Sequence, residues 1–508
     1  MKNYKRIFLT LILLVSNISF SQSGNLDTTF GNQGKVNTIF GQYLSDVNSV
    51  VLQPDGKIIT GNNVFNQGGY QQMGIARYST EGILDTTFGE EGKMISSFSE
   101  FKMTLNSMVL QTDGKIIGGG YRTGSEIPIS ESILVRYNSN GTLDTSFGNN
   151  GLVFKSSKWI NSVVLQPDGK IITAGISFDG SQRFQELMRY DAQGVLDSNF
   201  GNNGIVTTAI GERNFGYDVT LQLDGKIVAS GATSLTSSSN TDLVITRYLN
   251  NGALDTNFGT AGIVMFDIGD NDEAKAVKIQ NDGKIIFIGA KRLIRLLTNG
   301  QLDNGFGTNG MVQLNLFGGD IGLESDGKII VVGSCENSQG YTDVGLTRYL
   351  SSGELDTPFG TNGTETTSLG ESVRSGVRAL KIQPDGKIVV GGAKSEAFYS
   401  SHPNSILLRY NFKSLANTDF NFQKKSFIAY PNPVNQSVNL KFNLNEALAL
   451  TVDLYDGTGR KIINLLNQKD FGIGEHSEEL YLPDTLSRGI YFLNISNGKN
   501  FSNVKIVK

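Results

Sequence analysis

Leu26-Asp27-Thr28-Thr29-Phe30-Gly31 is the stretch on which the fold turns, because it returns six more times along the chain. The Leu-Asp-x-x-Phe-Gly string starts again at Leu84, Leu143, Leu196, Leu254, Leu302 and Leu355. An Asp-Gly-Lys triplet follows each copy, from Asp55, Asp113, Asp168, Asp224, Asp282, Asp326 and Asp385. An Arg-Tyr pair comes next, from Arg77, Arg136, Arg189, Arg247, Arg348 and Arg409, with Arg295-Leu296 as the divergent copy. Three motifs recurring in fixed order, with a period near fifty residues, mark a repeat architecture of seven units.

Within one unit the local chemistry spells four strands. Val47 to Gln53 is apolar on both faces, as a strand covered on both sides must be. Gln53-Pro54-Asp55-Gly56 is a turn, where proline fixes φ and glycine accepts a positive φ. Lys57 to Gly61 returns, Met73 to Tyr78 forms the third strand, and Lys93 to Phe98 holds the fourth. Four antiparallel strands per unit is the signature of a propeller blade. A β-helix is the structural alternative, but its repeats are shorter and lack these hairpin turns.

The phase of the array predicts how the ring closes. The chain enters with a lone fourth-strand segment, Leu26 to Phe40, and leaves after a third strand, Ser405 to Asn411. Val36 to Phe40 should therefore lie beside Ile406 to Tyr410, removing two open sheet edges. The repeated arginines are expected to pair with the Leu-Asp carboxylates, Arg409 meeting Asp27 across the closure. The repeated aspartates, Asp27, Asp85 and Asp144 among them, read as turn-forming rather than catalytic. The repeated phenylalanines, such as Phe30 and Phe88, read as core between blades. Gly118-Gly119-Gly120 lacks the lysine of a phosphate loop and reads as a bulge or turn.

The order Leu-Asp-Thr-Thr-Phe-Gly-x-x-Gly, Leu-Gln-Pro-Asp-Gly-Lys-Ile, Arg-Tyr resembles the delta-60 repeat family of bacterial β-propellers, a distant cousin of the NHL repeat. The resemblance spans about Asn25 to Asn411 and implies a propeller without an agreed activity. Beyond a linker at 412–426, residues 427–508 alternate with period two: Val438/Leu440/Phe442, Leu450/Val452/Leu454, Tyr491/Leu493/Ile495 and Val504/Ile506. That pattern, with glycine turns at Gly457-Thr458-Gly459 and Asn497-Gly498, predicts a small Ig-like β-sandwich. Tyr430-Pro431-Asn432-Pro433, Gly457 to Arg460, Arg488-Gly489-Ile490-Tyr491 and the terminal Val504-Lys505-Ile506-Val507-Lys508 resemble the type A sorting domain of type IX secretion. The resemblance implies the type IX machinery as partner and the exterior of a Bacteroidetes-type cell as destination. Residues 1–21 read as a signal peptide: Lys2, Lys5 and Arg6, an apolar run from Ile7 to Val15, then Ser19 and Ser21. The expected organisation is an all-β chain, a seven-bladed propeller over 22–411 closed by an N-terminal strand, followed by the sandwich.

Composition narrows the function. A net charge of -4 argues against nucleic acid or an anionic membrane as partner. Cys335 is the only cysteine, and His402 and His476 are the only histidines. No metal site, cofactor or catalytic constellation is expected, and a non-enzymatic role follows. Cys335 reads as a small buried hydrophobe. Asp267, Asp270, Asp272 and Glu273 form an acidic loop that departs from calcium-loop spacing and reads as solvated.

One rim of the propeller is monotonous, built from Pro-Asp-Gly, Asn-Gly and Ser-Gly turns. The opposite rim, with the second-to-third loops and the links between blades, varies in length and sequence. Variable loops on a rigid scaffold carry binding groups. The rim residues expected to bind are Tyr43, Phe65, Tyr70, Tyr121, Trp159, Phe184, Tyr217, Tyr341, Tyr399 and His402, with Phe101, Phe178 and Phe215 beside them. Aromatic platforms with amide and hydroxyl neighbours suit a glycan or peptide, although such rings also serve to pack their own loops. Two other readings stand: a polysaccharide lyase or glycosidase using Asp270, Asp272 and Glu273, and a structural or adhesion component with no small-ligand site.

Overall fold

The computed structural model describes residues 24–40, 44–66, 70–96, 101–124, 127–156, 158–236, 240–269, 271–396, 403–411, 427–444, 447–456, 461–484, 486–487, 489–497 and 501–508. The chain divides into two compact units, Met1–Ser414 and Leu415–Lys508. The expected signal peptide (1–21) and linker (412–426) lie outside the described residues.

In the first unit seven four-stranded antiparallel sheets follow one another. Blade 1 is Leu44–Leu52, Ile58–Phe65, Gln71–Tyr78 and Lys93–Ser96, in that order across the sheet. The first strands of blades 2 to 7 are Lys102–Leu110, Lys158–Leu165, Arg213–Leu221, Ala274–Ile279, Phe317–Leu323 and Val373–Ile382. Residues from all seven first strands line a single axial cavity. Blade 7 takes its fourth strand from the start of the chain: Lys35–Thr38 pairs antiparallel with Pro403–Tyr410. Val36 faces Leu407 and Thr38 faces Ser405, while Tyr410 bridges back to Leu26. The closure is the predicted one, with its pairing centred slightly earlier in each segment.

The recurring motif is a clasp between successive blades. Arg77 Nε sits 2.8 Å from Asp85 Oδ2, and Lys57 Nζ, from the Asp-Gly-Lys turn, is 2.8 Å from the same oxygen. The Arg77 guanidinium lies 4.6 Å from the centroid of Phe88 and donates to Ser139 O of blade 2 at 2.7 Å. Gly141, in that blade 2 turn, has φ +88, and a Cβ there would fall 2.8 Å from the Phe88 ring. The Arg–Asp contact repeats at 2.7 Å (Arg136–Asp144), 2.9 Å (Arg189–Asp197, Arg247–Asp255), 2.8 Å (Arg295–Asp303) and 2.6 Å (Arg348–Asp356). Arg295 keeps its clasp although leucine follows it. At the seam Arg409 meets Asp27 at 2.8 Å, and Lys387 joins at 2.9 Å. All seven motif phenylalanines are fully buried, each contributing about 1.5–3 kcal/mol by leaving water. Thr29 also donates to Asp27 Oδ1, at 2.7 Å. Burial would raise the Asp27 pKa, but the bonds from Thr29 and Lys387 and the charge of Arg409 outweigh it and lower the pKa to about 2.

The glycine triplet is neither bulge nor turn. Gly118, Gly119 and Gly120 lie inside the strand Ile116–Gly124, and the bulge opposite them is in the neighbouring strand, between Leu105 and Ser107. The bulge drives Thr104 O against the second strand, so a Cβ on Gly120 would stand 1.7 Å from that oxygen. The first strand of every blade carries a bulge at this level. Gly175, Gly231, Gly333 and Gly392 meet the same kind of carbonyl.

One motif position breaks the rule. The residue before each Pro-Asp-Gly-type turn is Gln53, Gln111, Gln166, Gln222, Gln280 or Gln383, but Glu324 in blade 6. Glu324 is buried, its nearest cation contact being Arg348 Nη1 at 3.8 Å. Burial, with Asp326 and Asp356 adding to it against Arg348 and Lys328, raises its pKa to about 8. The folded state therefore holds a proton that the unfolded chain releases near pH 4.5, and stability falls as pH rises between those two values. Glu324→Gln should leave stability unchanged below about pH 4.5 and add about 1–3 kcal/mol above pH 8. Denaturant midpoints measured across that range check it, and a gain independent of pH would contradict it.

The C-terminal unit has two sheets, Phe427–Tyr430, Ser437–Leu444, Gly474–Tyr481 and Lys461–Phe471, Leu448–Asp456, Ile490–Ser496, Phe501–Val507. Val438, Leu440, Phe442, Leu450, Val452, Leu454, Leu493, Ile495 and Ile506 fill one core between them. Phe442 lies 5.4 Å from Phe427 and meets Phe471 edge-on at 5.0 Å. The expected Gly457 to Arg460 hairpin lies outside the described residues.

Candidate aromatic and arginine site

Five strands of blades 2 to 4 contribute to one ladder of rings and guanidiniums. Tyr121, near the end of the second strand of blade 2, stacks on Trp159 of blade 3 with centroids 5.0 Å apart and planes 23° from parallel. Trp159 meets Phe178 edge-on at 5.3 Å. Phe178 pairs across the hairpin with Arg183, whose guanidinium lies 5.3 Å from Phe178 and 5.3 Å from Phe215 of blade 4. Arg213 approaches Phe215 at 5.8 Å, and Arg213 bridges Arg183 through the backbone. Phe215 and Tyr217, two residues apart on one strand face, lie 6.2 Å apart with planes at 4°. The Tyr217 hydroxyl donates to Glu273 Oε1 at 2.8 Å, and Lys275 is 3.0 Å from Glu273. Burial and the Glu273 carboxylate push the Tyr217 pKa upward, so the phenol stays a donor. Trp159 Nε1 is buried without an acceptor among the described residues, which leaves the indole's faces as its contribution.

Of the residues expected to bind, Tyr121, Trp159 and Tyr217 converge on this ladder. Trp159 and Tyr217 stand in first strands beside the axis, not in loops, and Tyr217 is itself the bulged residue of blade 4. Phe184 is on the third strand of blade 3, opposite Ser177. Phe65 ends the second strand of blade 1, and Tyr70 is 45% exposed in the following turn, its N–H bonded to Asn66 Oδ1 at 2.9 Å. Among the described residues no ring contact joins Phe65, Tyr70 or Phe184 to the ladder. Tyr341 sits in the blade 6 turn, its N–H on Asn337 Oδ1 at 3.1 Å. Tyr43, Tyr399 and His402 lie outside the described residues.

The acidic loop is not simply solvated. Asp272 is buried and caps its own loop, accepting the Ile268 N–H at 2.8 Å, while Glu273 is engaged by Tyr217 and Lys275. Asp270 lies outside the described residues. Cys335 is half-buried, its thiol pointing to Asp343 O at 3.6 Å, and burial raises its pKa. Among the described residues no three His, Cys, Asp or Glu side chains gather as a metal site. Arg183 and Arg213, which complete the ladder, were not among the expected residues. Their signal was the Arg-Phe spacing of Arg183-Phe184 and Arg213-Asn214-Phe215, legible once strand phase is known.

Seven blades around an axis, shut by a terminal strand, together with a two-sheet C-terminal unit, define a β-propeller protein with a separate β module. The chain carries seven repeats of a beta-propeller domain of unknown function, matched at 53–88, 111–147, 166–200, 222–258, 280–306, 324–359 and 383–411. Residues 428–508 match the secretion system C-terminal sorting domain. That tail makes the type IX secretion system the partner in export and the outside or surface of a Bacteroidetes cell the destination. No curated protein matches the chain. Among solved structures, a fungal alcohol oxidase of the AA5 family in complex with copper is 14% identical, with 93% of this chain and 98% of that one covered and a TM-score of 0.42. The polysaccharide lyase Uly1 is 9% identical over 72% of this chain and 90% of its own, with a TM-score of 0.43. A protein of unknown function from Dyadobacter fermentans DSM 18053 is 9% identical over 74% and 100%, with a TM-score of 0.39. Likeness at this level transfers no activity, ligand or metal.

Proposed function

We propose that the propeller is a non-catalytic surface scaffold that binds glycan along the ladder from Tyr121 to Tyr217. The observation that carries the reading is the continuity of that ladder on a rigid sheet. Ring faces cover the apolar faces of sugars, and the guanidinium edges of Arg183 and Arg213 offer donors to ring hydroxyls. In this reading residues 1–21 supply the first crossing, into the periplasm, and the sorting domain is removed at the surface. A glycan array with the full chain should return bound glycans, and Trp159→Ala should weaken them by about tenfold or more, the equivalent of about 1.4 kcal/mol. An array with no bound glycan, or a folded Trp159→Ala protein with undiminished binding, would contradict it.

A further inference from the structure

The axial cavity, about 530 Å³, is electrically lopsided. On the side of blades 1 to 3 its wall is neutral. The bulged residues Asn48, Asn106 and Asn161 each donate Nδ2 to a carbonyl of the next blade, at 2.9, 2.8 and 2.7 Å. Ser49 Oγ accepts the Met108 N–H at 3.0 Å and Ser107 Oγ accepts the Val163 N–H at 3.2 Å. Their own O–H groups remain as donors.

Blades 4 to 7 present charge at the same levels. Asp218 and Asp320 replace the serines and accept the Val277 and Leu380 N–H groups, each at 3.0 Å. Lys278 lies 3.4 Å from both carboxylates. Lys275 is satisfied by Glu273, and Arg378 by Asp46 at 3.5 Å and by Asn48 Oδ1 at 2.7 Å. Lys381 is left over. It lines the cavity three residues after the blade 7 bulge, the level held by Val109 and Val164 in blades 2 and 3. Among the described residues it has no ion pair within 4.0 Å. Its side chain is open to the cavity, and desolvation there, opposed by Asp320 and Asp218 and reinforced by Lys278, lowers its pKa. The lining holds four cations (Lys275, Lys278, Arg378, Lys381) and two carboxylates (Asp218, Asp320), in a chain whose net charge is negative.

We infer that the axial cavity binds a hydroxylated carboxylate the size of a mono- or disaccharide, of which a uronic acid is the simplest, with its carboxylate on Lys381 and its hydroxyls on the Asn and Ser side chains of blades 1 to 3. The volume suits such a ligand. The single unpaired cation fixes one anionic group, and the neutral wall supplies donors and acceptors that a simple inorganic anion would leave unused. The cavity shares Tyr217 with the ladder, but Lys381 and the Asn and Ser side chains of blades 1 to 3 are not ladder residues, so the two readings are tested by different side chains.

Calorimetric titration of the full chain with D-glucuronate, D-glucose and inorganic phosphate tests it. Glucuronate should bind, with glucose and phosphate each weaker by about tenfold or more. Lys381→Val, which installs the residue of blades 2 and 3, should weaken glucuronate by about tenfold or more, and Lys381→Gln should do the same should the valine protein fail to fold. Lys441→Gln, in the C-terminal unit, is the charge control and should change nothing. The inference is overturned by any of three results: no glucuronate binding, equal binding of glucose or phosphate, or a folded Lys381 variant with undiminished affinity. Loss of array binding in Trp159→Ala reads the ladder separately.

Discussion

Arg409→Met should cost about 3–5 kcal/mol of stability, more than the same change at Arg189, although the two arginines sit in equivalent clasps. Arg189 fastens blade 3 within a continuous chain. Arg409 fastens the only junction with no covalent link across it, where Lys35–Thr38 is zipped to Pro403–Tyr410. Its guanidinium bonds Asp27 at 2.8 Å, covers the Phe30 ring at 4.4 Å and donates to Thr80 O of blade 1. Removing it leaves the Asp27 carboxylate, 5% exposed, with only Lys387 as a cation partner. The check is a double-mutant cycle of Arg409→Met and Asp27→Asn by denaturant midpoint, with an expected coupling of about 1 kcal/mol or more. Additive losses would mean that the two side chains act independently, and the seam would have to be held by strand pairing alone.

The second large effect belongs to a side chain that is absent. Gly120→Ala places a Cβ at 1.7 Å from Thr104 O, a backbone atom, so one of two hydrogen-bonded strands must move. The expected loss is above about 3 kcal/mol, beyond the usual range for a single methyl group. Gly376→Ala is the matched control. It lies in the first strand of blade 7 with nothing within 4 Å of the new atom, and should alter stability by less than about 0.5 kcal/mol. Thermal unfolding of the two variants separates a bulge that is rigid from one that relaxes. Gly120→Ala melting alongside the parent would establish the latter.

The ring, its blade number and its seam were legible because the deciding residues recur. A motif seen seven times reports its own phase, and phase alone predicts that Val36 lies near Leu407. The Arg–Asp clasp was legible for the same reason. The bulges were not, since a bulge leaves no residue type of its own: Asn48, Tyr217, Lys275 and Gly319 all occupy that position. The glycine triplet, read as a bulge or turn, is the partner of a bulge that sits on the neighbouring strand. Lys461–Phe471 and Gly474–Tyr481 escaped notice because both are exposed on much of their length and show little apolar alternation. At the ladder the rings were visible in sequence, whereas their convergence required knowing that the second or third strand of one blade stands beside the first strand of the next. The cavity charges were hidden by averaging: Asp218 and Asp320 share one level, and Lys278 and Lys381 another, each pair in only two of the seven blades.

The seam also sets an order of events during synthesis. The strand that shuts the ring is made before every other strand of the array, and its partner, ending at Tyr410, is the last. The export signal matched from residue 428 follows shortly afterwards. A polypeptide released early, anywhere within the seven units, lacks both the latch for its own N-terminus and the address for leaving the cell. Every molecule that bears the address therefore already contains the complete set of parts needed to close.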